Sequence, residues 1–254
     1  MQTLILSAVL SALTGVLYAY VGVRLGRRKV SPDARPAQWL FVLWWYALAV
    51  VTFLSSVDIV LYLSGNLPIW AYQTVVQVAI LLLMAGLGGL MYYLVYLYTG
   101  NNRFWALLLV YYILFFIVFE ALLAWYGTPR SISDDGWRLV SLPKPETQTA
   151  VSLAFGLLLI GPQMGAAVAY ALLYRRAVDA TQRYRIALVA GSIFIWFGSG
   201  MVATAGNIQT HLWWQVSSQV LAALAAIVIL IAYLPPRPWR TRWGLRSIDQ
   251  ETAA

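Results

Sequence analysis

Cysteine is absent from this 254-residue chain, which removes disulfides, thiolate nucleophiles and cysteine metal sites together. Histidine occurs once, as His211, so the multi-histidine sets that hold zinc or iron, and bis-histidine haem ligation, are excluded as well. No cofactor and no metal is expected. Charge is also scarce, at 10% of residues against the about 25% usual for a soluble domain. Lysine is confined to Lys29 and Lys144, neither in an apolar run, which excludes a retinal Schiff base in a membrane-spanning segment.

What remains is 61% hydrophobic and collects into long runs. These fall at 3–25, 39–63, 70–98, 104–126, 150–174, 184–206 and 211–233, and each reaches the ~20 residues that cross a ~30 Å hydrocarbon layer. In lipid an open strand would leave its backbone donors and acceptors unpaired, so each run must be a helix. A β-barrel is disfavoured because the runs are continuously apolar rather than alternating. The expectation is an all-α polytopic membrane protein, with a seven-transmembrane-helix bundle over 1–234 and a short basic tail over 235–254. The opening MQTLILSAVLSALTGVLYAYVGV lacks the basic start and small-residue cleavage site of a removable signal peptide, and reads as the first helix.

The net charge of +8 sits in short segments between the runs, so it reads as topology rather than as a nucleic-acid footprint. Fourteen basic residues fall on one side: Arg24, Arg27, Arg28, Lys29, Arg35, Arg103, Arg175, Arg176, Arg183, Arg185, Arg237, Arg240, Arg242 and Arg246. Only Arg130, Arg138 and Lys144 fall on the other. The positive-inside rule then puts the N-terminus outside and the C-terminus in the cytoplasm of a multi-pass cell (inner) membrane protein. Pro235, Pro236 and Pro238 stop the last helix, and Trp239 and Trp243 among arginines suit the headgroup layer. The remaining tail is too short for a catalytic domain, so output is expected through a cytoplasmic signalling partner. Segment 127–149, with Asp134, Asp135, Gly136, Pro143 and Pro145, reads as a small hairpin or lid.

Ionisable and amide side chains inside the spans are the candidate site, because lipid gives them no partner. Asp58 and Glu120 lie at matching depths near the outer ends of the second and fourth spans. Gln73, Gln77, Gln163, Gln215, Ser218 and Gln219 gather, by residue counting, at a similar level, with 215, 218 and 219 on one helix face. With Trp45, Trp196 and Trp214 as walls, they would form an outward polar pocket for a small ligand. The plain alternative is hydrogen-bonding glue between helices, at ~0.6 to 2 kcal/mol each.

Arg175, Arg176, Arg183 and Arg185 would touch a partner or anionic lipid, or simply fix topology. Gly86, Gly88 and Gly89 in MAGLGGLMYY, and Gly198, Gly200 and Gly206, read as close helix packing. Gly161 and Pro162 read as a kink that frees a carbonyl. His211 and the tryptophans at span ends suit the membrane interface.

Three stretches carry a family resemblance: LYAYVGVRLGRRKVSPDARPAQWLFVLWWYAL, YYLVYLYTGNNRFW and ALLYRRAVDATQRYRIALVAG. Together they resemble the seven-helix N-terminal sensor region of bacterial membrane histidine kinases, where a tyrosine-threonine-glycine turn and an arginine-rich fifth loop recur. The resemblance implies a non-enzymatic sensor or receptor-like module and brings no catalytic residues; the chain has no kinase, cyclase or phosphodiesterase sequence. A small-molecule or proton-linked carrier built on the two carboxylates is the rival expectation, and a structural subunit of a membrane complex is a third. An enzyme is not expected, since no nucleophile-base pair is visible.

Overall fold

The computed structural model describes residues 2–28, 30–64, 69–100, 103, 105–126, 131–132, 139–140, 153, 156–209 and 212–246. Long apolar runs in a medium without water can satisfy their backbone only internally, and helix dominates accordingly. The elements are α1 (Gln2–Gly26), α2 (Arg35–Ser64), α3 (Ile69–Thr99), α4 (Trp105–Tyr126), α5 (Gly161–Leu172), α6 (Ala180–Gln209), α7 (Leu212–Tyr233) and a short α8 (Arg237–Trp243). Six helices are long and apolar enough to cross a membrane; in α4 the apolar stretch searched is the shorter Ala106–Leu122. The departure from all-α is a two-residue antiparallel ladder, β1 (Ser131–Ile132) against β2 (Leu139–Val140), inside the expected hairpin segment.

Large apolar side chains cover the outside of the bundle. Leu13, Val16, Leu107, Leu114 and Ile117 are each more than half exposed, an arrangement that suits lipid and would be costly in water. The chain is a multi-pass membrane protein on this ground.

Three of the turns among the described residues have a clear local cause. Gly100, at φ 68°, ends α3 in the left-handed region that only glycine adopts freely, its N–H donating to Tyr96 O at 2.7 Å. This is the glycine of the tyrosine-threonine-glycine turn. Gly244, at φ 62°, does the same for α8, where Leu245 N–H reaches back to Arg240 O at 3.2 Å. Between α1 and α2, Gln38 Nε2 donates to Leu25 O (2.6 Å), which also accepts from Arg28 N–H at 3.2 Å, and to Arg28 O (2.9 Å), tying the end of α1 to α2.

The helices pack in the order α3-α2-α1-α7-α6-α5, and α3 closes on α5 to complete a ring, with α4 laid against α3. Glycines set the α2–α3–α4 spacing. A Cβ on Gly89 would stand 2.5 Å from the Leu40 carbonyl oxygen, one on Gly86 would stand 2.8 Å from Ala47 Cβ, and Gly88 faces Leu109 Cα of α4 at 3.3 Å. Close packing at this triplet is therefore as expected. Gly198 and Gly200 differ: a Cβ there would meet nothing within 4 Å, so the close-packing expectation does not hold for them.

One end of the ring carries the arginines and is closed by aromatic residues. Phe41 stacks on Tyr93 at 4.0 Å and 9°, and the Tyr93 and Tyr233 hydroxyls meet at 3.5 Å. Trp44 of α2 meets Trp196 of α6 edge-on at 4.7 Å across the bundle. Hydroxyls stitch neighbouring helices through spare backbone carbonyls: Tyr18 Oη to Ala222 O (2.8 Å), Ser192 Oγ to Ala225 O (2.8 Å) and Tyr184 Oη to Ile231 O (3.0 Å).

Candidate functional site

Asp58 stands six residues before the end of α2, in the half of the bundle away from the arginines. It shares a helix face with Trp44, Leu48, Val51 and Ser55, following the three- and four-residue spacing of a packed helix. Trp44 and Leu48 on that face are buried and Trp44 contacts α6, while Val51, Ser55 and Asp58 are half-buried. The Asp58 Oδ1 is buried and has no hydrogen-bond partner among the described residues. Nearby hydroxyls are already committed. Ser55 Oγ donates to Val51 O at 3.1 Å, and Ser56 Oγ donates to Ala8 O of α1 at 3.0 Å. Ile59, fully buried against Leu4 and Ala8, fixes the rotation of α2 beside it.

The other predicted site residues do not converge on this point. Gln219 is buried and accepts from Ser7 Oγ at 3.1 Å, joining α7 to α1 at the same end of the bundle. Ser218 is buried beside it. Glu120, half-buried, lies on α4, whose main packing partner is α3, so α3 stands between it and the helix carrying Asp58. Gln77 is exposed on α3. The Gln73, Gln215 and Trp214 side chains and the whole of His211 lie outside the described residues.

Gln163 belongs to a separate feature at the α4–α5 contact. Pro162 has no N–H to donate to Leu158 O four residues earlier, and the preceding turn opens into a π-helix over Gly156–Ile160. The Tyr111 hydroxyl of α4 donates to Leu158 O at 2.6 Å and satisfies the carbonyl. This is the freed carbonyl expected at Gly161–Pro162, taken up by a neighbouring helix. Gln163, 2% exposed, lies beside the Tyr112 hydroxyl, yet both Gln163 Nε2 and Tyr112 Oη are buried without a well-aligned partner among the described residues. Tyr112 precedes Glu120 by eight residues, ~12 Å of helix, so Gln163 is not at the level of the carboxylates.

At the basic end the four loop arginines divide. Arg175, Arg176 and Arg183 are exposed, and Arg176 lies 5.7 Å from the Tyr98 ring centre. Arg185 is buried at 9% exposure. Its guanidinium lies over the Tyr233 ring at 5.4 Å, and its Nη2 donates to Arg246 O at 3.0 Å. Arg185 is therefore not an open contact for a partner or lipid, contrary to the sequence expectation. It holds the chain after α8 against α6, helped by Arg246 N–H donating to Thr181 Oγ1 at 3.2 Å and by buried Leu245. Sequence reasoning grouped Arg185 with Arg175, Arg176 and Arg183, as partner or lipid contacts or topology markers, because charge count cannot tell a solvated arginine from one folded against an aromatic ring.

The chain matches no protein-family model and has no significant match among curated proteins.

Proposed function

We propose that this is a receptor-like membrane module in which Asp58 receives a small ligand in the outer half of a seven-span bundle. In this reading α4 is the seventh crossing, the N-terminus is outside, the basic end faces the cytoplasm, and output passes to a cytoplasmic signalling protein. The observation that carries it is the Asp58 Oδ1, buried in an apolar bundle with no hydrogen-bond partner among the described residues. An unsatisfied acceptor of this kind costs on the order of 1–3 kcal/mol, so a donor or cation from outside the chain has a large energy to relieve. The resemblance of the RLGRRK, YTGNNR and YRRAVDATQRYR stretches to histidine-kinase sensor regions supports the same reading.

The aromatic closure at the basic end favours a sensor over a carrier. Phe41, Tyr93, Tyr233 and the Trp44–Trp196 pair fill the bundle below Asp58 and leave a bound ligand to act through helix movement. A ligand drawn to Asp58 would shift α2 against α6, whose first two turns are fastened to the tail through Thr181 and Arg185.

The test is a thermal-shift screen of purified protein against small amines and other hydrogen-bond donors, run in parallel on Asp58→Asn. Compounds that stabilise the native protein and leave the variant unmoved support the site. Equal shifts in both would remove Asp58 from it. Flux of such a compound into reconstituted vesicles, abolished by the same substitution, would favour the carrier instead.

A further inference from the structure

The arginine-rich end contains a groove that the ligand reading does not use. It has a volume of about 510 Å³ and lies between the α5–α6 turn and the chain around α8, lined by Tyr174, Val178, Arg183, Ala187, Trp243 and Leu245. The geometry points to a binding site for one anionic phospholipid, its phosphate at Arg183 and the start of its acyl chains along Ala187 and Trp243.

The groove is chemically graded along the membrane normal. Arg183 sits in the first turn of α6, and Ala187 is one turn further on, ~6 Å deeper toward the hydrocarbon. An amphiphile entering from the leaflet therefore meets apolar wall below and a guanidinium above. Val178 at the rim is 92% exposed, a large apolar residue that water alone would not favour there. The volume is enough for a glycerophosphate and the first carbons of its chains, while the rest of each chain would remain in the bilayer.

The walls are held in place before any lipid arrives. Arg183 Nε donates to Ala177 O at 2.7 Å, tying its guanidinium across the turn. Trp239 and Trp243 bracket Tyr184 at 6.3 and 6.4 Å and contact each other at 5.5 Å, which docks α8 on the start of α6. Asp179 caps α6, its Oδ2 accepting from Gln182 N–H at 3.3 Å, so the helix terminus is already occupied by a carboxylate and the anion contact falls to Arg183. The segments that bound the groove, 173–187 and 237–246, carry Arg175, Arg176, Arg237, Arg240, Arg242 and Arg246 besides Arg183 and Arg185, with Asp179 as their one acid, a balance that favours a net-negative headgroup over a zwitterionic one. Tryptophan and arginine together on a short helix also place this level at the headgroup layer.

The proposal is independent of whether Asp58 binds a ligand. Its test is native mass spectrometry of the full chain released from mixed phosphatidylglycerol and phosphatidylcholine bilayers. One phosphatidylglycerol per chain should be retained in preference to phosphatidylcholine. Arg183→Gln should lower that retention about fivefold, the loss expected for one arginine at the membrane surface. Ala187→Trp, which fills the groove without changing charge, should lower it as well, whereas Arg27→Gln on the exposed α1–α2 turn should not. Equal retention of the two lipids, or loss with Arg27→Gln as large as with Arg183→Gln, would overturn the site and leave a diffuse electrostatic attraction. Melting curves of each variant identify any that fail to fold; if Ala187→Trp fails, Arg183→Gln against Arg27→Gln decides.

Discussion

Single atoms decide much of this bundle, because hydrocarbon magnifies what each polar group gains or loses. Asp58 Oδ1 is an acceptor with no donor among the described residues, so the ligand-binding role proposed for it and its effect on stability should pull in opposite directions. Asp58→Leu is expected to stabilise the detergent-solubilised protein by ~1–3 kcal/mol in an SDS-unfolding titration while removing ligand responses. A variant less stable than the native chain would mean that the carboxylate is satisfied by groups outside the described residues. Gly89 gives the opposite case. With Leu40 O 2.5 Å from where a Cβ would stand, Gly89→Ala must push α2 from α3 and should cost ~1–3 kcal/mol, whereas Gly198→Ala should stay within ~0.5 kcal/mol. Both are read in the same titration.

At the level of elements, the helices were legible from the chain and their neighbours were not. The runs expected at 3–25, 39–63 and 70–98 correspond to Gln2–Gly26, Arg35–Ser64 and Ile69–Thr99, because in lipid only internal hydrogen bonding is available and run length alone marks an element. The same physics hides the packing. A helix apolar on every side carries no stripe to show which face is buried, so the closure of α3 on α5 and the siting of α4 outside the ring could not be read from periodicity. Gln163 shows the cost: residue counting set it level with Asp58, but it lies beside Tyr112 on α4. The glycine triplet 86–89 and the pair Gly198 and Gly200 look alike as sequence, and only the neighbouring backbone separates them. The π-turn before Pro162 offers a test at this scale. Tyr111→Phe should cost ~0.6–2 kcal/mol in the native background and less alongside Pro162→Ala, which returns an N–H to the helix. A double-mutant cycle measures the difference, and a coupling of zero would mean that the hydroxyl does nothing for that carbonyl.

For the molecule as a whole, the arginine asymmetry and the ring order make one coherent object, with a basic end closed by aromatic rings and an opposite end holding Asp58 and the Ser7–Gln219 bond. Reporter tags at the two termini of the protein in intact cells should report different compartments, the N-terminal one outside. Finding both on one side would mean an even number of crossings, against the seven-span reading. Arg185→Ala should loosen the basic end, with a loss of ~1–2 kcal/mol, since one change removes both the stacking on Tyr233 and the hold on Arg246 O.

The fastening of Arg246 to Thr181 and Arg185 has a practical side. A fluorophore or protein joined just past that residue begins from a point clamped at two places on α6, so it cannot swing like cargo on a loose string. Rotation of that helix by a few degrees would be carried into the orientation of whatever is attached, and polarised emission from a rigidly fused label would register it without any enzyme at the end of the line.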